Sequence, residues 1–250
     1  MIDIHTHILP GMDDGSPTWE DTLEMAQMAA DAGTEVLAAT SHANLPGSRL
    51  SVQDYRKRLE MFRALLREER IPLMAVEGME IFADEHITDK LDEGILLSIN
   101  QGNYVLTEFA LNTPASFIYR ISDRLLERGY IPVIAHPERY ECVQNAVVHI
   151  YEWYMMGTAI QLNKGSLFGR FGRRAAETAD SILRHRLAAV VASDAHSPVV
   201  RTPDMSECYR LLGVNYGRSC PELLLEENPA RIVRNEDIVR EKPVPYVLKW

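Results

Sequence analysis

Short runs rich in Val, Ile, Leu and Ala recur about every thirty residues along the chain, and helix-like sequence separates most of them. Seven such runs, near residues 2–7, 36–40, 73–81, 104–109, 131–135, 159–162 and 188–192, are each followed by polar or turn-forming residues. The runs predict strands, and the stretches between them predict helices. Residues 16–33 make one helix, with Ser16 ahead of Pro17 at its start and Gly33 at its stop. Residues 52–69 make another, because Val52, Tyr55, Leu59, Phe62 and Leu66 fall on one face at helical spacing. Strand–helix units repeated in this way imply parallel strands joined by right-handed crossovers, either in an open doubly wound sheet or in a closed barrel.

The position of the polar residues decides between the two. Acidic and imidazole side chains stand at or just beyond the C-terminal ends of six of the runs. A closed barrel gathers those ends on one rim, whereas an open sheet concentrates ligands near a single switch point, so the pattern favours a barrel. No linker divides the chain, and residues 1–250 are expected to be one domain. The last stretch, 228–250, contains Pro229, Pro243 and Pro245 and is expected to be an extended tail packed on the barrel.

The densest chemistry lies in MIDIHTHILPGMDDG at the start of the chain. Residues two apart in a strand share a face, so His5 and His7 can converge on one ion, and Asp3 on that face could orient one imidazole. A second period-two pair, Asp194 and His196, follows the last run, and together the pairs make metal binding a better account than structural histidines. The other runs supply His42, Glu80, Glu108 and His136 at their ends. Glu77 rivals Glu80, and Asp13 rivals Asp14 in the DDG turn. The remaining histidines, His86, His149 and His185, fall in loop or helical positions and are expected to be solvated or structural. Arg139 and Arg201 are candidate phosphate clamps, because a guanidinium can pair with two phosphate oxygens at once; Asn163 and Lys164 are weaker candidates.

Composition narrows the field further. A net charge of −10, spread along the chain, disfavours a broad nucleic-acid surface. The three cysteines, Cys142, Cys208 and Cys220, are far apart and make no CxxC pair, so they are expected to be reduced. None is followed six positions later by Arg, as the loop of a cysteine-dependent tyrosine phosphatase requires, and no DxD nucleophile is present. No basic and apolar leader opens the chain and no run approaches about eighteen apolar residues, so a cytoplasmic location without membrane insertion is expected.

The ordered set of HxH, DDG, His42, Glu80, Glu108, His136 and the Asp-x-His pair resembles the polymerase-and-histidinol-phosphatase (PHP) superfamily. More narrowly, DIHTHILPGMDDG, GMEI, LTEF, AHPERY, NKGSLFG and SDAH are similar to the CpsB/CapC family of bacterial manganese-dependent protein-tyrosine phosphatases. The resemblance spans residues 1–201 and continues weakly into ENPARIVRN. It implies a distorted (β/α)7 barrel of the PHP type holding three divalent ions, manganese in first place with iron or zinc as alternatives. It assigns His5, His7, Glu80 and Asp194 to the first ion, Glu80, Glu108 and His136 to the second, and Asp14, His42 and His196 to the third. Relatives usually carry proline before the histidine matched by His42, where this chain has Ser41, and the following loop, ANLPGSRLS, also diverges.

The chemistry of the residues agrees with this assignment. Nitrogen and oxygen donors without a thiolate suit manganese, iron or zinc. Four carboxylates against three divalent ions leave an excess of order two positive charges, which suits a phosphate dianion attacked by metal-activated water. The implied substrate is the phosphotyrosine tail of a bacterial tyrosine kinase that controls capsular or exopolysaccharide synthesis. The alternatives are a small-molecule phosphatase such as histidinol-phosphate phosphatase, a PHP-type exonuclease, and a non-catalytic metal-binding regulator of the kinase.

Overall fold

The structure is a computed structural model, which describes residues 1–47 and 50–245. Among the described residues nine strand segments form: β1 (Ile2–Thr6), β2 (Val36–Ala39), β3 (His42–Ala43), β4 (Met74–Glu77), β5 (Glu80–Phe82), β6 (Tyr104–Glu108), β7 (Ile131–Ala135), β8 (Ala159–Asn163) and β9 (Val190–Ala192). Every pairing is parallel, in the orders β1-β2-β4 and β3-β5-β6-β7-β8-β9. Two residues separate β2 from β3 and two separate β4 from β5, so the nine segments are seven staves, two of them broken. Beyond β9 the chain returns to β1: Asp194 N donates to His5 O at 2.9 Å and His7 N donates to Ala195 O at 2.8 Å. Those bonds close a distorted seven-stranded barrel.

The breaks have a local cause. Runs 36–40 and 73–81 were expected to be continuous strands, but the Tyr55 hydroxyl enters the ladder between β2 and β4. It donates to Ala39 O at 2.7 Å and accepts from Gly78 N at 2.9 Å. A phenol thus stands where a backbone bond would continue the pairing, and both backbone groups remain satisfied. Tyr55 reaches this point from the buried face of the helix Val52–Glu68, where Leu59, Phe62 and Leu66 are also buried.

Eleven helices surround the staves among the described residues: α1 (Trp19–Asp31), α2 (Val52–Glu68), α3 (Ile87–Asp92), α4 (Ala115–Glu127), α5 (Glu141–Asn145), α6 (Val148–Met156), α7 (Lys164–Leu167), α8 (Arg173–Arg184), α9 (Ser206–Tyr216), α10 (Ser219–Glu222) and α11 (Asn228–Val233). The first begins later than expected, because Thr18 rather than Ser16 is its cap: the Thr18 side chain accepts from Asp21 N at 3.2 Å.

The core has two parts. One packs helices such as α2 and α6 on the outer strand faces, with Phe62, Trp153, Ile134 and Leu162 fully buried. The other fills the barrel with Ile4, Ala38, Val76, Leu106, Val133, Ala159 and Val190, and Ile99, Ile232, Val233 and Ile238 join it. The expected extended tail opens instead as helix α11, with Pro229 in its first turn where a missing N–H costs nothing. Its continuation lies against the starts of the strands: the Tyr104 hydroxyl donates to Glu236 O at 2.8 Å and Asn103 N donates to Asn235 Oδ1 at 2.7 Å. Residues 246–250 of the expected tail lie outside the described residues. The barrel is therefore covered at its N-terminal end, and the polar residues gather at the other.

Candidate metal centre

Period-two alternation delivers most of the site. Along β6, Tyr104 and Leu106 face the interior cluster, and Glu108 is the next position on that face. β1 needs a further device. Ile2 and Asp3 pair with Val36 and Leu37, but Thr6 pairs with Ala39, so three steps on β1 span two on β2. This bulge follows Ile4 of the barrel interior with His5, placing His5 and His7 in the site. It also corrects the expectation for Asp3, which binds no imidazole; its Oδ1 accepts from the backbone N–H of His5 at 3.3 Å and of Ser193 at 3.2 Å.

Two strand exits reach the site through left-handed backbone. His136, before Pro137, has φ 33° and Asp194 has φ 51°. Non-glycine residues in that region cost on the order of 1–3 kcal/mol each, and such strain concentrates where a side chain must be re-aimed. The turn after His7 is made tight by Gly15, where a Cβ would overlap the carbonyl oxygen and Cβ of His7.

All nine sequence-expected ligands meet. Their donor atoms fall into four overlapping groups, each with atoms within 4.8 Å of one another: His7, Asp14, His42 and His196; His5, His7 and Glu80; His5, His136 and Asp194; and His42, Glu80 and Glu108. His42 Nδ1 lies 2.9 Å from Glu80 Oε2 and 3.4 Å from Glu108 Oε2, while His136 Nε2 lies 3.0 Å from Glu80 Oε1. Glu80 is thus the hub. Its rival Glu77 is outside the centre, paired with Arg56 at 3.2 Å.

Neighbouring residues fix which nitrogens face inward. His7 Nδ1 lies 2.8 Å from Asp13 Oδ2, and His5 Nδ1 lies 3.0 Å from Gln161 Oε1. Both oxygens can only accept, so each Nδ1 donates there and each Nε2 is left facing the centre, where a neutral ring would offer a lone pair to a cation. Asp13, the rival of Asp14, therefore orients a candidate ligand, and it also accepts from His42 N at 2.8 Å. Gln161 was not anticipated; its signal was a polar residue two positions before Asn163 on a strand whose alternate residues are apolar.

The inward atoms suit a cation. His5 Nε2 and His7 Nε2 face each other at 3.2 Å, both within 3.5 Å of Glu80 and Asp194 oxygens. Glu80 Oε2, His42 Nδ1 and His136 Nδ1 are buried without a hydrogen-bond partner. Burial and the Glu80 charge push Glu108 up to about 7. Burial would push Glu80 up too, but the nearby His5, His136 and His42 imidazoles hold it well below the usual carboxylate range. Four carboxylates and five imidazoles crowded at these separations fit divalent ions bound by oxygen and nitrogen.

Both expected clamp residues reach the edge of the centre. Arg201 pairs with Asp194 and its Nη1 lies 3.1 Å from His196 Nε2, while its buried Nε has no partner. Arg139 Nη1 stands 3.8 Å from Asp194 Oδ2, and its guanidinium makes no hydrogen bond among the described residues. Asn163 donates to Asp194 Oδ2. Lys164 does not face the centre: its ammonium donates to the carbonyls of Thr202 and Asp204, the latter at 2.8 Å. The three cysteines are free thiols outside the four groups, with Cys208 pushed up to about 12 and Cys220 to about 11, in each case by burial first.

Comparison with known proteins matches this chain to relatives. Tyrosine-protein phosphatase YwqE of Bacillus subtilis is 34% identical over 245 residues, 98% of this chain and 96% of its own. Tyrosine-protein phosphatase CpsB of Streptococcus pneumoniae is 28% identical over 241 residues, 94% of this chain and 99% of its own. A crystal structure from the work on YwqE and CpsB, described as unique metal-dependent tyrosine phosphatases, superposes with a TM-score of 0.93 at 34% identity, covering 99% of this chain and all of that one. The phosphotriesterase homology protein of Escherichia coli shares only the fold, with a TM-score of 0.62 at 10% identity over 92% of this chain and 97% of its own. The sequence model for capsular polysaccharide synthesis, CpsB/CapC, matches residues 1–234, and this chain belongs to that family.

Proposed function

We propose that this protein is a metal-dependent protein-tyrosine phosphatase acting on the phosphotyrosine tail of a bacterial kinase that controls capsular or exopolysaccharide synthesis. The observation that carries the reading is the convergence of nine nitrogen and oxygen donors at the C-terminal rim, with the Nε2 atoms of His5 and His7 turned toward each other and toward two carboxylates. Family membership and the near-complete overlap with YwqE support it. His5, His7, Asp14, His42, Glu80, Glu108, His136, Asp194 and His196 would hold three divalent ions, manganese before iron or zinc, with Glu80 shared. Bound there, such ions supply Lewis-acid charge for the phosphoryl oxygens and lower the pKa of water near phosphorus.

The chain's own residues then bind and orient the phosphate. Arg201 has an unspent buried Nε and Arg139 an unspent guanidinium, and both stand beside Asp194 at the edge of the centre. Charge-assisted bonds from two guanidiniums would hold the phosphoryl oxygens as charge develops on them. Asp13 and Gln161 keep His7 and His5 in the tautomer that leaves Nε2 free. No described helix is long and apolar enough to cross a membrane, and the three free thiols suit the cytoplasm, where the kinase tail would be met. Residues 1–250 would act as one domain.

Kinetics on a phosphotyrosine peptide and on histidinol phosphate, measured side by side with manganese-loaded protein, separate this reading from its nearest enzyme alternative. The expected result is a kcat/KM higher on the peptide. A preference for histidinol phosphate would replace the substrate, and absence of turnover on both would favour a metal-binding regulator.

A further inference from the structure

The loop between α7 and α8 places one aromatic ring against both guanidiniums. The Phe171 ring centroid lies 4.5 Å from the guanidinium carbon of Arg139 and 5.7 Å from that of Arg201, although the two arginines come from different strand exits. The ring is seated by Gly165: a Cβ there would stand 2.5 Å from Phe171 Cε2, so a glycine is needed for the aromatic to approach. Gly165 is itself tied down, its N–H donating to Asn163 Oδ1 at 2.9 Å, while the other end of the Asn163 amide donates to Asp194. The ring and the centre are therefore parts of one connected frame.

We infer that Phe171 is a positioning residue for phosphate capture, holding Arg139 and Arg201 together at the edge of the metal centre. The inference rests on the phosphatase reading above. Two like charges drawn to one carboxylate repel each other, and long side chains lose entropy when fixed. The negative face of an aromatic ring attracts both, offsetting these costs without using an N–H that phosphate needs. Half-burial of the ring reduces the competing pull of water on that contact.

The test uses the manganese-loaded full chain, with inorganic phosphate as the probe. Its affinity is measured by calorimetry and by competition with a phosphotyrosine peptide, alongside metal content and melting temperature. Phe171→Leu and Phe171→Met keep apolar bulk but remove the π-face, whereas Phe171→Tyr keeps it. The two aliphatic variants are expected to bind inorganic phosphate roughly 5- to 50-fold more weakly with undiminished metal content, and the tyrosine variant to stay within about twofold of the parent. Parental phosphate affinity in either aliphatic variant overturns the proposal, as does an equal loss in all three. A loss confined to the peptide also overturns it, by assigning the ring to the substrate's aryl group. Failure of the parent to turn over would instead reject the phosphatase reading, while phosphate calorimetry still reports on the ring.

Discussion

At the scale of single residues, His136 and Arg139 share one loop yet have separable tasks. His136 Nε2 is buried 3.0 Å from Glu80, whereas Arg139 Nη1 stands 3.8 Å from Asp194 and its guanidinium makes no hydrogen bond among the described residues. Arg139→Ala is expected to keep parental metal stoichiometry while kcat/KM for a phosphotyrosine peptide falls about ten- to a thousand-fold, the range for losing a charge-assisted clamp. His136→Ala should lower metal content as well as turnover. Elemental analysis and kinetics on both variants check this, and undiminished turnover in Arg139→Ala would return that residue to an ordinary salt bridge. Gly15 makes a second case. An added methyl overlaps His7 itself and must displace the turn that carries Asp13 and Asp14. Gly15→Ala is therefore expected to cost about 1–3 kcal/mol of stability and to reduce metal content, both measurable on purified protein. Among residues, legibility tracked spacing: HxH and Asp-x-His were readable because period two is written in the chain. Gln161 and Phe171 were not, because each acts on residues from other strand exits that only the closed barrel brings near.

At the scale of elements, the alternation of apolar runs and helical stretches identified the staves, and what it missed came from tertiary contacts. Residues 73–81 look like one strand, but the Tyr55 hydroxyl of α2 enters the ladder at Gly78 and splits it. The β1 bulge likewise put Asp3 and His5 to different uses, because an extra residue in a strand reverses the faces beyond it. Helix α11 was read as extended chain because the three prolines of residues 228–250 outweighed its apolar residues, yet Pro229 sits in the first turn, where proline is tolerated. Lys164 shows how an element can serve the site indirectly. From the start of α7 its buried ammonium holds two carbonyls of the loop that follows Arg201. Lys164→Met leaves those carbonyls without their donor and is expected to destabilise the protein by about 1–3 kcal/mol, read from denaturant unfolding. An unchanged midpoint would show that the carbonyls find other partners at no cost.

At the scale of the whole molecule, the barrel divides its labour between two ends. One is covered by α11 and the segment after it, with Ile232, Val233 and Ile238 joining the apolar interior. The other collects carboxylates and imidazoles, a donor set that divalent cations would bind. Among the described residues the cysteines lie outside the clustered donors, so no step is given to a thiol. Changing Cys142, Cys208 and Cys220 together to Ser should leave turnover per bound metal unchanged in protein that remains folded. Loss of turnover at unchanged metal content would point to a thiol mechanism. The central claim, that the nine clustered donors hold the metals on which phosphotyrosine hydrolysis depends, meets its most direct test in one measurement. Protein stripped of divalent metal, with the stripping verified by elemental analysis, is assayed on a phosphotyrosine peptide before and after manganese or magnesium is returned. The account predicts no turnover in the stripped protein and recovery that is greater with manganese than with magnesium, since an imidazole-rich site suits a transition metal better than a hard oxygen-seeking ion. Full turnover in the verified metal-free protein would contradict it.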